Sequence, residues 1–162
     1  MEADFNTAKK HFDLAYHYQM AGDLDNAVEH YELSILAHPT AEAHTFLGWT
    51  YSFMVRIEEA IDECKKAIAT DPDFGNPYND IGAYLVELGR EEDAIPWFLK
   101  AMQAKRYECY HYPHYNLGRI YEHRGKWNEA MREYAFALKE YPDYEMARIS
   151  LARLVSKRTQ LN

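Results

Sequence analysis

The sequence predicts an all-α solenoid of four antiparallel helix pairs closed by one capping helix. Three observations carry that prediction. A short phrase recurs, clearest as Leu47-Gly48-Trp49-Thr50-Tyr51 and Leu117-Gly118-Arg119-Ile120-Tyr121. An Ala stands twelve residues after each of the small residues Ala15, Gly48, Gly82 and Gly118, giving Ala27, Ala60, Ala94 and Ala130. Those alanines lie 33, 34 and 36 residues apart, a period at which each unit is too small to bury its apolar face alone and must stack on the next.

The first unit shows how each pair arises. Leu14, Ala15 and Tyr18, then Ala27, Tyr31 and Ser34, fall at helical spacing, so two amphipathic helices pack face to face. The small residues let the paired helices approach closely. The rings that follow them, Tyr18, Tyr51 and Tyr121, with Leu85 in the third unit, read as core. So do the second-helix residues Tyr31, Phe98 and Tyr134, with Cys64 in the second unit. Gly22, Gly89 and Gly125 sit between paired helices, where a positive φ ends the first one. The second unit has Val55 there, and a β-branched side chain is strained at positive φ, so a different turn with Arg56 shifted is expected.

Pro39, Pro72 and Pro142 close units one, two and four. In the third unit Arg106 replaces that proline and two extra residues follow, within the ring-rich segment from Arg106 to Tyr115. A longer second helix is expected, with Pro113 in the first turn of the next, the alternative being a dedicated recognition loop. From Glu145 onward only the first-helix pattern returns, through Ile149, Leu151, Ala152 and Val155, which reads as the cap.

Composition narrows the function classes. The 162 residues are 48% apolar with 7 Gly and 6 Pro, enough to form a core. No stretch has the length and hydropathy of a membrane span, and the start lacks the basic and apolar regions of a signal peptide. Cys64 and Cys109 form no CxxC, which suits a reducing compartment, so a cytoplasmic location is expected. The net charge is −8, with −11 over residues 1–118 and +3 over 119–162. An acidic body repels phosphate backbones, so nucleic acid is not an expected partner. HExxH, GxSxG and a glycine-rich phosphate loop are all missing, so neither an enzyme nor a cofactor-bearing protein is expected. Asp71, Asp73 and Asn76 do not form a calcium loop, because Pro72 interrupts them.

The sets Ala27-Tyr31-Ser34-Pro39, Ala60-Cys64-Ala67-Pro72, Ala94-Phe98-Ala101 and Ala130-Tyr134-Ala137-Pro142, with the Leu-Gly and Tyr positions before them, resemble the tetratricopeptide repeat family. The resemblance covers residues 8–144 and places His11, His44, Tyr78 and His114 where the family often has Trp. It implies one domain over 1–162, with repeats at about 8–40, 41–74, 75–110 and 111–144 and a capping helix at about 145–158.

The resemblance further implies a right-handed superhelix whose concave wall is built by the first helices and binds a peptide. Projected onto that wall, Phe12, Tyr16, Met20, Trp49, Phe53, Asn79, Tyr112, Tyr115, Asn116 and Arg119 are the expected peptide-binding residues. Phe12, Tyr16, Trp49 and Tyr115 would anchor apolar groups, while Asn79, Asn116 and Arg119 would set register. A chaperone-tail carboxylate clamp does not fit, since Phe12, Tyr16, Phe46 and Asp80 stand where Lys and Asn would be needed. The expected role is a scaffold or adaptor for a protein partner. Two alternatives are self-association through the ends, with Ile149, Leu151, Leu154 and Val155 giving the cap apolar residues on more than one face, and a metal site using His111, His114 and His123.

Overall fold

A computed structural model describes residues 2–160, which form nine helices. The pairs are α1 (Glu2–Met20) with α2 (Leu24–Ala37), α3 (Ala41–Phe53) with α4 (Ile57–Thr70), α5 (Asn76–Glu87) with α6 (Glu91–Gln103), and α7 (His111–His123) with α8 (Trp127–Glu140). The cap is α9 (Glu145–Gln160). The chain is an all-α right-handed superhelical solenoid. Its curvature follows from which helices meet: α1 touches α3, α3 touches α5, and α5 touches α7, whereas no two second helices pack closely on one another among the described residues. First helices therefore line the inner wall.

The small residue of each first helix sets how closely its partner approaches. A Cβ added at Gly82 would lie 2.5 Å from the Phe98 ring, and one at Gly118 would lie 2.5 Å from Tyr134. At Gly48 the obstacle is backbone, the Ala60 carbonyl at 2.9 Å, with Cys64 Sγ at 3.3 Å. Tyr31, Phe98 and Tyr134 are fully buried, as are Ala15, Ala27, Ala60, Ala94 and Ala130. Tyr51 and Leu85 are also buried, while Tyr18 and Tyr121 are half-buried at the edge of the same layer.

The bulky residue early in each first helix meets the second helix at one fixed offset. Nδ1 of His11 lies 3.0 Å from Nδ1 of His30, His44 Nδ1 lies 2.7 Å from Glu63, and His114 Nδ1 lies 2.8 Å from Glu133. In the third unit the same place holds a ring pair, Tyr78 on Trp97 with centroids 6.2 Å apart. Burial works against the charge of Glu63, but hydrogen bonds from His44 and Lys66 outweigh it and hold the carboxyl below its ordinary value.

Two expectations are corrected. Val55 adopts φ 60, in the same region as Gly22, Gly89 and Gly125 at φ 81, 73 and 71. All four turns share one hydrogen-bond pattern: Asp23, Arg56, Arg90 and Lys126 donate their N–H to Tyr18, Tyr51, Leu85 and Tyr121 at 2.8–2.9 Å. This six-to-one bond ends the first helix. It holds Val55 in place despite the strain.

The second correction concerns the third unit. Its second helix is not extended but ends at Gln103, and the following residues fold back onto the turn between units two and three. Arg106 and Asp73 pair through their backbones at 2.8 Å, and Gly75 donates to the Arg106 carbonyl at 3.1 Å. The Arg106 guanidinium bonds Asp71 at 2.6 and 2.9 Å and Glu42 at 2.7 Å, and lies 4.2 Å over the Phe74 ring. Tyr107 is buried against Gly75, where a Cβ would lie 2.5 Å from its own Cβ. The insertion is a staple between units. Pro113 does fall in the first turn of α7.

Candidate peptide-binding groove

The residue after each small residue holds one register position on successive first helices, Tyr16, Trp49, Ala83 and Arg119, with Arg153 at the same place on the cap, and the last three of these line one cavity. The row changes character along its length. Its first half is aromatic, the middle is small, and the last two members are guanidinium groups.

Phe46 is the hub of the aromatic half. Its ring contacts Phe12 at 5.3 Å, Tyr16 at 5.9 Å, Tyr31 at 6.2 Å and Trp49 at 5.7 Å between centroids, and Trp49 continues to Phe53 at 5.2 Å. Most of these pairs are edge-to-face, the arrangement the ring quadrupoles favour. Phe12 is half-buried beneath the others, which leaves Tyr16, Met20, Trp49 and Phe53 as the open surface, at 44, 51, 36 and 55% exposure. A contiguous patch of this kind is uncommon on a surface that binds nothing. Gln19, on the same face of α1, is buried and accepts the Tyr31 hydroxyl at 2.7 Å. Glu122 does the same for Tyr134 at 2.8 Å, so these two fully buried phenols each receive an acceptor from the first helix of their own unit.

The middle of the wall is polar. Asn116 donates to the Asn79 side-chain carbonyl at 3.2 Å, tying α7 to α5. Asn79 is 8% exposed and so belongs to the wall's structure more than to its surface. Beside it, burial pushes the Asp80 carboxyl up to about 7, with a hydrogen bond from Asn79 pulling the other way.

The C-terminal half encloses a cavity of about 840 Å³ between α5, α7 and α9, lined by Ala83 and Val86 on one side and by Tyr115, Asn116, Arg119, Ser150 and Arg153 on the other. Tyr115 is corrected here: at 8% exposure it is not a projecting anchor, since its ring packs on Tyr134 and Tyr144 and carries the Arg119 guanidinium 5.9 Å above its centroid. Tyr112 is exposed at the rim, against His111 and Tyr144. Arg153 is bound to both oxygens of Glu122 at 2.7 Å, and Glu91 holds His123 at 2.8 Å.

The three histidines do not converge. His111 lies among Tyr112, Tyr141 and Tyr144, whereas His114 and His123 each face a different glutamate. No group of three or more His, Cys, Asp or Glu among the described residues is placed to hold a metal ion. Phe46 as the aromatic hub and Arg153 as a wall residue were missed by the sequence reading. Arg153 was detectable, because it follows Arg119 by 34 residues, one repeat length.

The chain matches the tetratricopeptide repeat family over residues 41–74 and again over residues 114–138. Among solved structures it is similar to PilF of Pseudomonas aeruginosa, with a TM-score of 0.89 and 22% identity over 98% of this chain and 72% of that one. PilW, described as a widely conserved type IV pilus biogenesis factor, gives 0.83 at 22% identity over 95% of this chain and 71% of its own. YrrB, described as a repeat protein of this family with an unusual peptide-binding site, gives 0.66 at 19% identity over 92% and 76%. At these identities the likeness is one of fold. No curated protein matches the sequence. No described helix is long and apolar enough to cross a membrane.

Proposed function

We propose that this tetratricopeptide repeat protein is a scaffold or adaptor that binds a peptide segment of a partner protein along the inner wall of its superhelix. The observation that carries this reading is the open aromatic surface of Tyr16, Met20, Trp49 and Phe53, supported from below by Phe12 and Phe46. Exposed rings backed by a rigid layer are where binding energy concentrates. Asn116 and Arg119 set register further along. Affinity for one short peptide is on the order of micromolar, because ordering the peptide opposes the gain from burial. The fold likeness to a protein described as peptide-binding is consistent with this use of the wall.

The test compares proteins captured from a lysate by the wild type and by a Trp49→Ala, Phe53→Ala double variant whose melting curve shows that it is folded. Capture lost only with the variant supports the groove. Capture unchanged by the double substitution moves recognition to another face.

A second reading is self-association through the cap, favoured by the exposure of Met146, Ile149 and Val155 on α9. Sedimentation decides it: a molecular mass that rises with concentration and returns to monomer on Ile149→Asp, Val155→Asp supports end-to-end assembly. A constant monomer removes it.

A further inference from the structure

The groove proposal leaves open which peptides fit, and the row across the wall narrows that choice. Of the eight other arginines, Arg56, Arg90, Arg106, Arg124 and Arg153 each lie within ion-pair distance of a carboxylate, and Arg132, Arg148 and Arg158, which do not, are not part of the cavity lining. Arg119 has no ion pair among the described residues, although it is the wall arginine closest in the row to the aromatic half. It is exposed, lies over the face of Tyr115, whose quadrupole attracts a cation, and lines the 840 Å³ cavity. The neighbouring Glu122 is already paired with Arg153, and Glu91 with Arg124 at 3.6 Å, while His123 lies within hydrogen-bond distance of Glu91. Glu87, also in the lining, stands one turn further along α5 than Ala83, the residue that shares the row with Arg119. Arg119 is thus a cavity-lining cation with no carboxylate partner among the described residues.

We infer that the groove selects an extended peptide that places an apolar side chain on the Trp49–Phe53 surface and an aspartate or glutamate side chain on Arg119. This rests on the groove reading above. The spacing follows from the fold: Trp49 and Arg119 are separated by two steps between neighbouring first helices, about 20 Å at packed interaxial distances. An extended chain covers that in about six residues at roughly 3.3 Å each. A helix would need about thirteen residues. The extended form is preferred because Asn116 keeps its side-chain carbonyl free of a protein partner among the described residues and can accept a peptide N–H, which a helix has already spent internally. An internal acidic side chain, rather than a terminal carboxylate, is indicated because the wall does not stop at Arg119 but continues onto Ser150 and Arg153 of α9.

The experiment selects binders from a library of twelve-residue peptides displayed away from their termini, using the wild type, Arg119→Glu, and Trp49→Ala with Phe53→Ala, each first shown to melt cooperatively. The expected result is that wild-type binders combine an apolar residue with an acidic one five to seven positions away, and that Arg119→Glu replaces the acid by Lys or Arg at the same spacing. An amidated synthetic binder should lose about fivefold in affinity when its acid is changed to the amide, the upper range for an exposed ion pair, and should lose nothing against Arg119→Ala. Binders that need the aromatic surface but show no charge preference, or a preference that Arg119→Glu leaves unchanged, overturn this inference alone. A requirement for a free C-terminal carboxylate overturns the internal-side-chain assignment. Binders indifferent to the Trp49 and Phe53 substitutions overturn the groove reading itself.

Discussion

Replacing Val55 by Gly should stabilise this protein even though it deletes an apolar side chain. Val55 has φ 60 at the end of α3, while the equivalent turns use Gly22, Gly89 and Gly125. For an L-residue the left-handed region costs about 1–2 kcal/mol, and β-branching puts valine toward the upper end. Against that, glycine adds unfolded-state freedom worth about 0.4–1 kcal/mol. The lost side chain matters little, because Val55 is 83% exposed. The balance is a gain of about 1 kcal/mol, which for a chain of this length raises the melting temperature by about 2–4 °C. Urea unfolding followed by circular dichroism measures it, with the slope checked for constancy so that the midpoint reports stability. The reciprocal Gly89→Val should lower the midpoint, since a Cβ at Gly89 has nothing within 4 Å to clash with and the backbone is the only source of strain. A Val55→Gly midpoint equal to or below the wild type would refute the argument that the six-to-one turn stores strain in this residue.

The core and its titrating groups give further expectations. Gly118→Ala should destabilise by about 1–3 kcal/mol, because its Cβ meets the buried Tyr134 ring and the pair must separate, and denaturant titration reads the loss. Burial raises Asp80 from 3.8 to about 7, so its unfavourable contribution is full above that value and fades as pH falls toward 3.8. Asp80→Asn should therefore raise the melting temperature most at pH 8 and progressively less toward pH 4. Glu63 runs the opposite way: its folded carboxyl sits below 4.5, so it stabilises at neutral pH and loses that contribution as pH falls through its folded value. Glu63→Gln should cost stability at pH 7 and converge with the wild type in acid, measured by the same melts. Burial pushes both thiols up, Cys64 the further, and only Cys109 is partly exposed, so a thiol reagent should label one cysteine in the native protein and two in denaturant.

The helix pairs were legible in the sequence because their causes are local and repeat. A small residue, a ring or leucine three positions on and an alanine twelve positions on are each read within a single unit, and four copies remove the ambiguity any one would leave. Close approach at Gly48, Gly82 and Gly118 follows from the same spacing. The inner-wall residues were legible as a helical face, but not their individual exposure. Tyr115 and Trp49 are both wall aromatics, yet Tyr115 is covered by Tyr144 from the turn before α9 while Trp49 stays exposed.

Only the tertiary structure decided matters that depend on residues far apart in the chain. Arg106 ends the third unit by binding Asp71, 35 residues back, and Glu42, 64 residues back, and no local pattern predicts such a closure. Arg119 became the groove's available cation because the stacking of α9 gave Glu122 to Arg153. At Val55 the local rule was sound and was outweighed by the hydrogen bonds of the whole turn. Periodicity determines that helices pair and stack, because each unit carries the same apolar demand. The superhelical stacking then decides which charges pair with one another and which stay unpaired among the described residues, because those distances exist only once the units are assembled.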